Sequence, residues 1–292
     1  MKTIAQFYTL FWIIYFPTCI AFNELDGFGW IDEIMTVILM AFTFLNSSVS
    51  LNREPRGEYR LFLGILAFYV VYGLIFGENI EKAVLRDMVQ WIRPFSVIYC
   101  TWILNPRFTE RQKNVMLISM LVTLGTWFLY HPEVYVGADA EFPVLGQLAM
   151  CTGMTWYLWK PDNQKNAYIA LAIVLSGMLA PKFKFMGEVV CFVGFVFFLR
   201  GKLQFKSPKT MLALVVLLAV TLYVTWEKFD IYYVSGLNSN ELARPMTYRI
   251  AFTEIIWDYF PFGPGMGTWG CAAAADYYSP LLYKYHMSRV WG

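Results

Sequence analysis

Apolar residues fall in nine blocks along the chain, at about 4–22, 31–46, 61–77, 88–104, 114–130, 143–159, 167–180, 186–199 and 210–226. Shorter polar intervals separate them. A helix needs roughly 20 apolar residues to cross the hydrocarbon layer of a bilayer. The pattern therefore predicts an all-α fold, a polytopic transmembrane helical bundle of about nine spans. The blocks at 167–180 and 186–199 are short, which predicts either tilted spans or a tight hairpin that does not fully cross. Pro17, Pro94 and Pro143 sit inside or at the mouth of blocks, where a bundle tolerates a kink.

The pattern changes after Trp226. Residues 227–292 mix polar, aromatic and glycine positions, so the chain divides into a bundle over 1–226 and a loop segment over 227–292. Within that segment Ile250, Ala251, Ile255, Ile256, Trp257 and Tyr259 predict an amphipathic helix over Tyr248–Phe260 that lies on or dips into the membrane interface. Pro261 ends it. Gly263, Gly265 and Gly267 follow, and their backbone freedom allows main-chain amides to approach a ligand. A plain turn or close helix packing explains the same run equally well. The segment still looks structured where the sequence stops at Gly292, and a continuation into further helices is expected.

The polar intervals orient the bundle. Arg53, Arg56 and Arg60 lie between the second and third blocks, and Arg107, Arg111 and Lys113 between the fourth and fifth. Lys160 and Lys165 come next, followed by Arg200, Lys202, Lys206 and Lys209. The alternate intervals 23–30 and 131–142 hold no Lys or Arg. Positive charge marks the cytoplasmic side. This predicts a cytoplasmic N-terminus and places residues 227–292 on the opposite face.

Composition agrees: of 292 residues, 58% are hydrophobic and 15% charged, against about 25% charged in soluble domains. A net charge of +2 is too small to suggest nucleic acid. Cys19, Cys100, Cys151, Cys191 and Cys271 have neither paired nor metal-ligand spacing, so no disulfide framework, metal site or cofactor is expected.

Cations that oppose the positive-inside pattern carry the candidate chemistry. Arg86 and Arg93 are two helical turns apart. Lys182 and Lys184 occupy the PKFKFMGE turn, and Arg244 and Arg249 precede the glycine run. Each has two readings: snorkelling to lipid phosphates, or gripping an anion. Lys82, Lys228 and Lys284 suit the first, or pairing with acids such as Glu78, Glu81, Glu227 and Asp230. His131 reads as a solvated loop residue.

One Arg, an amphipathic run with Trp, and then Pro-x-Gly-x-Gly-x-Gly make up the motif Arg249, Trp257, Pro261, Gly263, Gly265 and Gly267. It resembles the O-antigen polymerase/ligase superfamily, bacterial glycosyltransferases acting on undecaprenyl-diphosphate-linked glycans. PKFKFMGEVV looks like that family's earlier Arg-bearing stretch, with Lys182 and Lys184 in place of Arg. The His-Asn pair of ligase-type members is unmatched, since Met287 follows His286. The resemblance thus implies a polymerase of the inner membrane more than a ligase. Its partners would be the lipid-linked oligosaccharide, the bilayer and other polysaccharide-assembly proteins.

On that reading Arg249 and Arg93 hold the departing diphosphate, supported by Arg86, Arg244, Lys182 and Lys184 and by the turn at Gly263, Gly265 and Gly267, without a metal. Glu254 leads the candidates for acceptor base, ahead of Asp258 and His286, and a structural salt bridge with Arg249 or Arg244 explains it as well. A flippase or other transporter is the rival, and it expects charges near the membrane centre. A non-catalytic scaffold is a third reading.

Overall fold

The computed structural model describes residues 2–24, 30–46, 54–131, 143–179, 183–198, 208–235 and 242–287. It is all-α, with no strand among the described residues. The helices are α1 (Lys2–Glu24), α2 (Ile31–Leu45), α3 (Pro55–Phe76), α4 (Glu81–Leu104), α5 (Glu110–Tyr130), α6 (Pro143–Trp159), α7 (Gln164–Ser176), α8 (Phe183–Val193) and α9 (Pro208–Phe229). After these come α10 (Ala243–Ile250), α11 (Ile256–Asp258), α12 (Ala272–Asp276) and α13 (Pro280–Lys284). Each of the nine predicted blocks falls on one of α1–α9. Among the described residues two helices, Pro55–Phe76 and Glu110–Tyr130, are long and apolar enough to cross a membrane by length and composition. The two short blocks are short helices: α7 continues as a 3-10 turn, Gly177–Leu179, and α8 as a π-turn, Gly194–Phe198.

Local signals start several of these helices. Pro55 occupies the first turn of α3, where its missing amide hydrogen costs nothing. Thr109 and Gln112 form a reciprocal capping box at α5. The Asn163 side chain accepts the Asn166 amide at 2.9 Å to open α7.

The chain forms two compact units. One comprises Lys2–Gly29 and Arg107–Phe229, which holds α1 and α5–α9. There α1 packs along α5, with Tyr8 fully buried. Trp127, Leu145, Leu148 and Ala149 form a core between α5 and α6. Phe185 of α8 fills notches left by Gly146 and Gly177, where an added Cβ would lie 2.9 and 2.6 Å from its ring. His131 is not solvated as expected. It caps α5, is only 6% exposed and lies tilted against Trp127 with centroids 4.3 Å apart. Its position directly at the helix end folds it back over the last turn instead of into the loop.

The other unit comprises Trp30–Pro106 and the chain from Asp230 onward. Here α4 is the central element, lying against both α2 and α3 and meeting α12. Tyr59 and Phe62 of α3 pack on Phe95 and Tyr99 of α4, and Tyr59 bonds Ser96 at 2.9 Å.

Candidate functional site

The site is built on a helical run from Ala243 to Asp258, which starts and ends a little before the predicted bounds. It reads α10, a π-turn over Ala251–Ile255, and α11. Met246, Ile250 and Ile255 face inward and close a small core with Leu281, Leu282, Tyr285 and Met287. The opposite side leaves Phe252, Trp257 and Phe260 between 68% and 74% exposed. One face is thus held by the chain's own last helices, and the other is apolar and open.

The π-turn matters for spacing. Its hydrogen bonds run to the fifth residue, so one extra residue is inserted into the turn. It begins two residues beyond Arg249, and Thr253 and Glu254 lie within it, four and five residues on from that arginine. In an uninterrupted α-helix Phe252 and Thr253 would stand one turn from Arg249, and the wider turn rotates the register toward Glu254. The Thr253 hydroxyl donates to the Arg249 carbonyl at 2.8 Å. Glu254 is exposed and Arg249 half-buried. Turns of this kind recur at functional sites.

After Pro261 the glycine run lies against the α3–α4 connection. Gly263, Gly265 and Gly267 have φ of +78°, +96° and +75°, the left-handed region open to glycine. A Cβ on Gly267 would lie 2.7 Å from the Ala83 carbonyl carbon and oxygen, and one on Gly265 would lie 3.2 Å from the Gly77 Cα. Close backbone approach therefore demands glycine at these two positions. The Tyr72 hydroxyl donates to the Gly263 carbonyl at 2.9 Å. The Asn79 amide donates to the Gly267 carbonyl, and the Gly267 amide donates to Asp87 Oδ2 at 2.9 Å. That amide is therefore taken by a buried carboxylate and does not point toward a ligand. Sequence reasoning missed Tyr72, Asn79 and Asp87. The available signal was a carboxylate near the start of an otherwise apolar span, immediately after Arg86.

A second polar cluster ties the C-terminal segment to the same connection. Tyr259 donates to Glu78 at 2.8 Å, and Lys284 donates to the Tyr259 hydroxyl at 3.1 Å. Tyr285 donates to Asp258 at 2.7 Å, which Lys284 also approaches at 3.8 Å. Lys284 lies 4.9 Å from the Tyr259 ring centroid and 5.3 Å from that of Tyr285. Bonding to Tyr259 holds the Lys284 ammonium above the usual lysine range. Burial, and then the bond to Asp258, push the Tyr285 phenol up to about 12. Lys284 is thus a partner of acids, as one of its two readings had it.

The predicted cations do not converge in the same way. Arg86 pairs with Asp276 of α12 at 2.6 Å. Arg93 pairs with Asp32 at 3.0 Å and Glu33 at 2.9 Å, both in the first turn of α2. Two carboxylates around one guanidinium leave that group net negative. Arg244 is exposed on α10. Lys182 lies outside the described residues, as does the Lys184 side chain. His286 is exposed, with φ +58°. Among the described residues no group of three or more His, Cys, Asp or Glu is placed to hold a metal ion.

A cavity of about 450 Å³ lies between α3 and α4 beneath Pro264, Gly265 and Met266, lined by aromatic and aliphatic side chains with Asp87 as its one charged group. A second, of about 560 Å³, continues along α3 to Arg60. None of the predicted site cations with described side chains, Arg86, Arg93, Arg244 and Arg249, lines either one. Compared with known proteins, the chain matches no family model, no curated protein and no solved structure.

Proposed function

We propose that the chain is a polytopic inner-membrane glycosyltransferase that transfers glycan from undecaprenyl diphosphate to an acceptor lipid-linked repeat unit, as a surface-polysaccharide polymerase. The single observation carrying this reading is the π-turn two residues beyond Arg249, which holds Thr253 and Glu254 on the same helical run that leads into the glycine turn. In this scheme Arg249 holds the diphosphate oxygens as the bond to the anomeric carbon breaks. Glu254 takes the proton of the acceptor hydroxyl. In this scheme the diphosphate role falls chiefly on Arg249, with Arg244 on the same helix. The remaining blocks cross or dip into the bilayer around the two long apolar helices, with the N-terminus cytoplasmic and the glycine turn on the far side.

Replacing Arg249 with Lys keeps the charge and removes the planar fork that matches phosphate. Cells carrying Arg249→Lys are expected to show short surface glycan. Normal long chains with the protein still expressed overturn the reading.

A transporter of lipid-linked glycan is the second reading, favoured by the Arg93–Asp32–Glu33 group between two helices. Charged groups that bridge two helices within a bilayer line transport pathways. Accumulation of single-repeat glycan on deletion marks a polymerase, whereas loss of all surface glycan marks a flippase or a ligase.

A further inference from the structure

The two cavities beside α3 share Ile65, Tyr69 and Phe262 and so form one strip. Its walls are apolar. At Gly64 the strip is notched, because a Cβ there would meet nothing within 4 Å. Phe262 roofs it, with its ring centroid 5.4 Å from that of Phe68 and 5.8 Å from that of Tyr72. Trp91 and Met266 line it toward α4 and the glycine turn. Among the described residues that line it, the strip has one cation, Arg60, which is exposed at the near end. Its one carboxylate, Asp87, already accepts the Gly267 amide.

We propose that this strip seats one acyl chain of an anionic phospholipid whose phosphate rests on Arg60. The inference rests on the membrane-spanning part of the reading above, and concerns a lipid other than the glycan donor. Length supports it. Arg60 to Tyr69 spans about 14 Å at 1.5 Å per helical residue, close to half of a roughly 30 Å hydrocarbon core. That is the depth of a single leaflet's chain. Charge complementarity supports it too, since a guanidinium fork suits a phosphate and sits where the headgroup of such a chain would lie. The strip opens on α3, one of the two helices apolar enough to border lipid. A polar solute finds almost no partner on these walls.

The test uses the full chain reconstituted in phosphatidylcholine vesicles containing phosphatidylglycerol with a photoreactive diazirine at mid-chain. Crosslinks are mapped by peptide mass spectrometry. They are expected to concentrate on 61–69 and 262–266. Gly64→Leu, whose Cβ meets open space, fills the notch and abolishes them, whereas Gly125→Leu, with its Cβ equally unobstructed on α5, leaves them. Arg60→Gln lowers labelling by the phosphatidylglycerol probe about fivefold and leaves that by a phosphatidylcholine probe unchanged. Labelling spread evenly to Val71 and Ile75 and indifferent to Gly64→Leu overturns the proposal. So does preferential labelling of the strip by a diazirine polyprenyl phosphate, which makes the occupant the donor's chain. Release of the protein from membranes by alkaline carbonate removes the membrane reading as well, whereas even labelling of an integral protein removes this inference alone.

Discussion

Gly267 donates its amide hydrogen to Asp87 Oδ2 at 2.9 Å, a bond between residues 180 positions apart. Asp87 is 6% exposed, and the donor is equally shut from water. Around it, Tyr72 and Asn79 hold the carbonyls of Gly263 and Gly267, so the turn is fastened to the α3–α4 connection by three bonds. A loop held in this way presents the preceding helix, with Arg249 and Glu254, at a fixed place relative to α3 and α4.

Asp87→Ala leaves the Gly267 amide buried without an acceptor, a loss of roughly 1–3 kcal/mol. Thermal melting of the detergent-solubilised protein is expected to fall, and proteolytic cleavage within 261–270 to rise. Asp87→Asn keeps an acceptor oxygen and recovers most of the loss. Equal damage from both would mean that the carboxylate's charge, not its bond, holds the turn.

Glycine substitutions separate conformation from crowding. Gly263→Ala meets open space and bears only the left-handed penalty of about 1–2 kcal/mol. Gly267→Ala adds a Cβ 2.7 Å from the Ala83 backbone, for a combined cost of roughly 3 kcal/mol or more. The two melting temperatures are expected to differ in that order.

Glu254 is exposed on the π-turn, and Glu254→Gln is expected to leave expression and melting unchanged. Glycan transfer by isolated membranes is expected to fall roughly 100-fold, as for loss of a general base. Full transfer activity with Gln would remove Glu254 from the chemistry.

Arg93 joins α4 to α2 through Asp32 and Glu33, with the three side chains 21–33% exposed. Arg93→Gln strands two half-buried carboxylates, and a destabilisation of about 1–3 kcal/mol is expected after allowance for solvent. Adding Asp32→Asn and Glu33→Gln restores the melting temperature if the role is structural. An inactive but stable triple variant would return Arg93 to the diphosphate site.

Alkaline pH is expected to loosen the C-terminal segment. Burial holds the Cys271 thiol up at about 11 and the Tyr285 phenol at about 12, above ordinary values of 9.0 and 10.0. The folded segment keeps these protons where the unfolded chain gives them up. The contribution of these groups is complete below about pH 9 and drains away between about pH 9 and pH 12. Tyrosinate absorbance and melting followed over that range are expected to change together. For Tyr285→Phe the melting temperature should depend less steeply on pH.

Helix positions were legible because each needs only a local run of apolar residues, and all nine blocks lie on helices. The end of the amphipathic run before Pro261 was equally local. The extra residue in the π-turn was not, since it reflects which inward residues, Ile250 and Ile255, must reach Leu281 and Tyr285. Charge partners were also opaque. Arg86 and Arg93 read as a pair on one helix, yet each finds its carboxylates on a separate element.

Composition and periodicity alone determined that this chain is helical and apolar, and that its glycine turn closes an amphipathic helix. Both properties depend on neighbours a few residues away. Only the tertiary structure decided why the turn needs glycine, that Asp87 takes its amide, and that Arg93 pairs with two carboxylates of α2. Those outcomes depend on backbone and side-chain approaches between segments far apart in the chain, and no local pattern records which surfaces will meet.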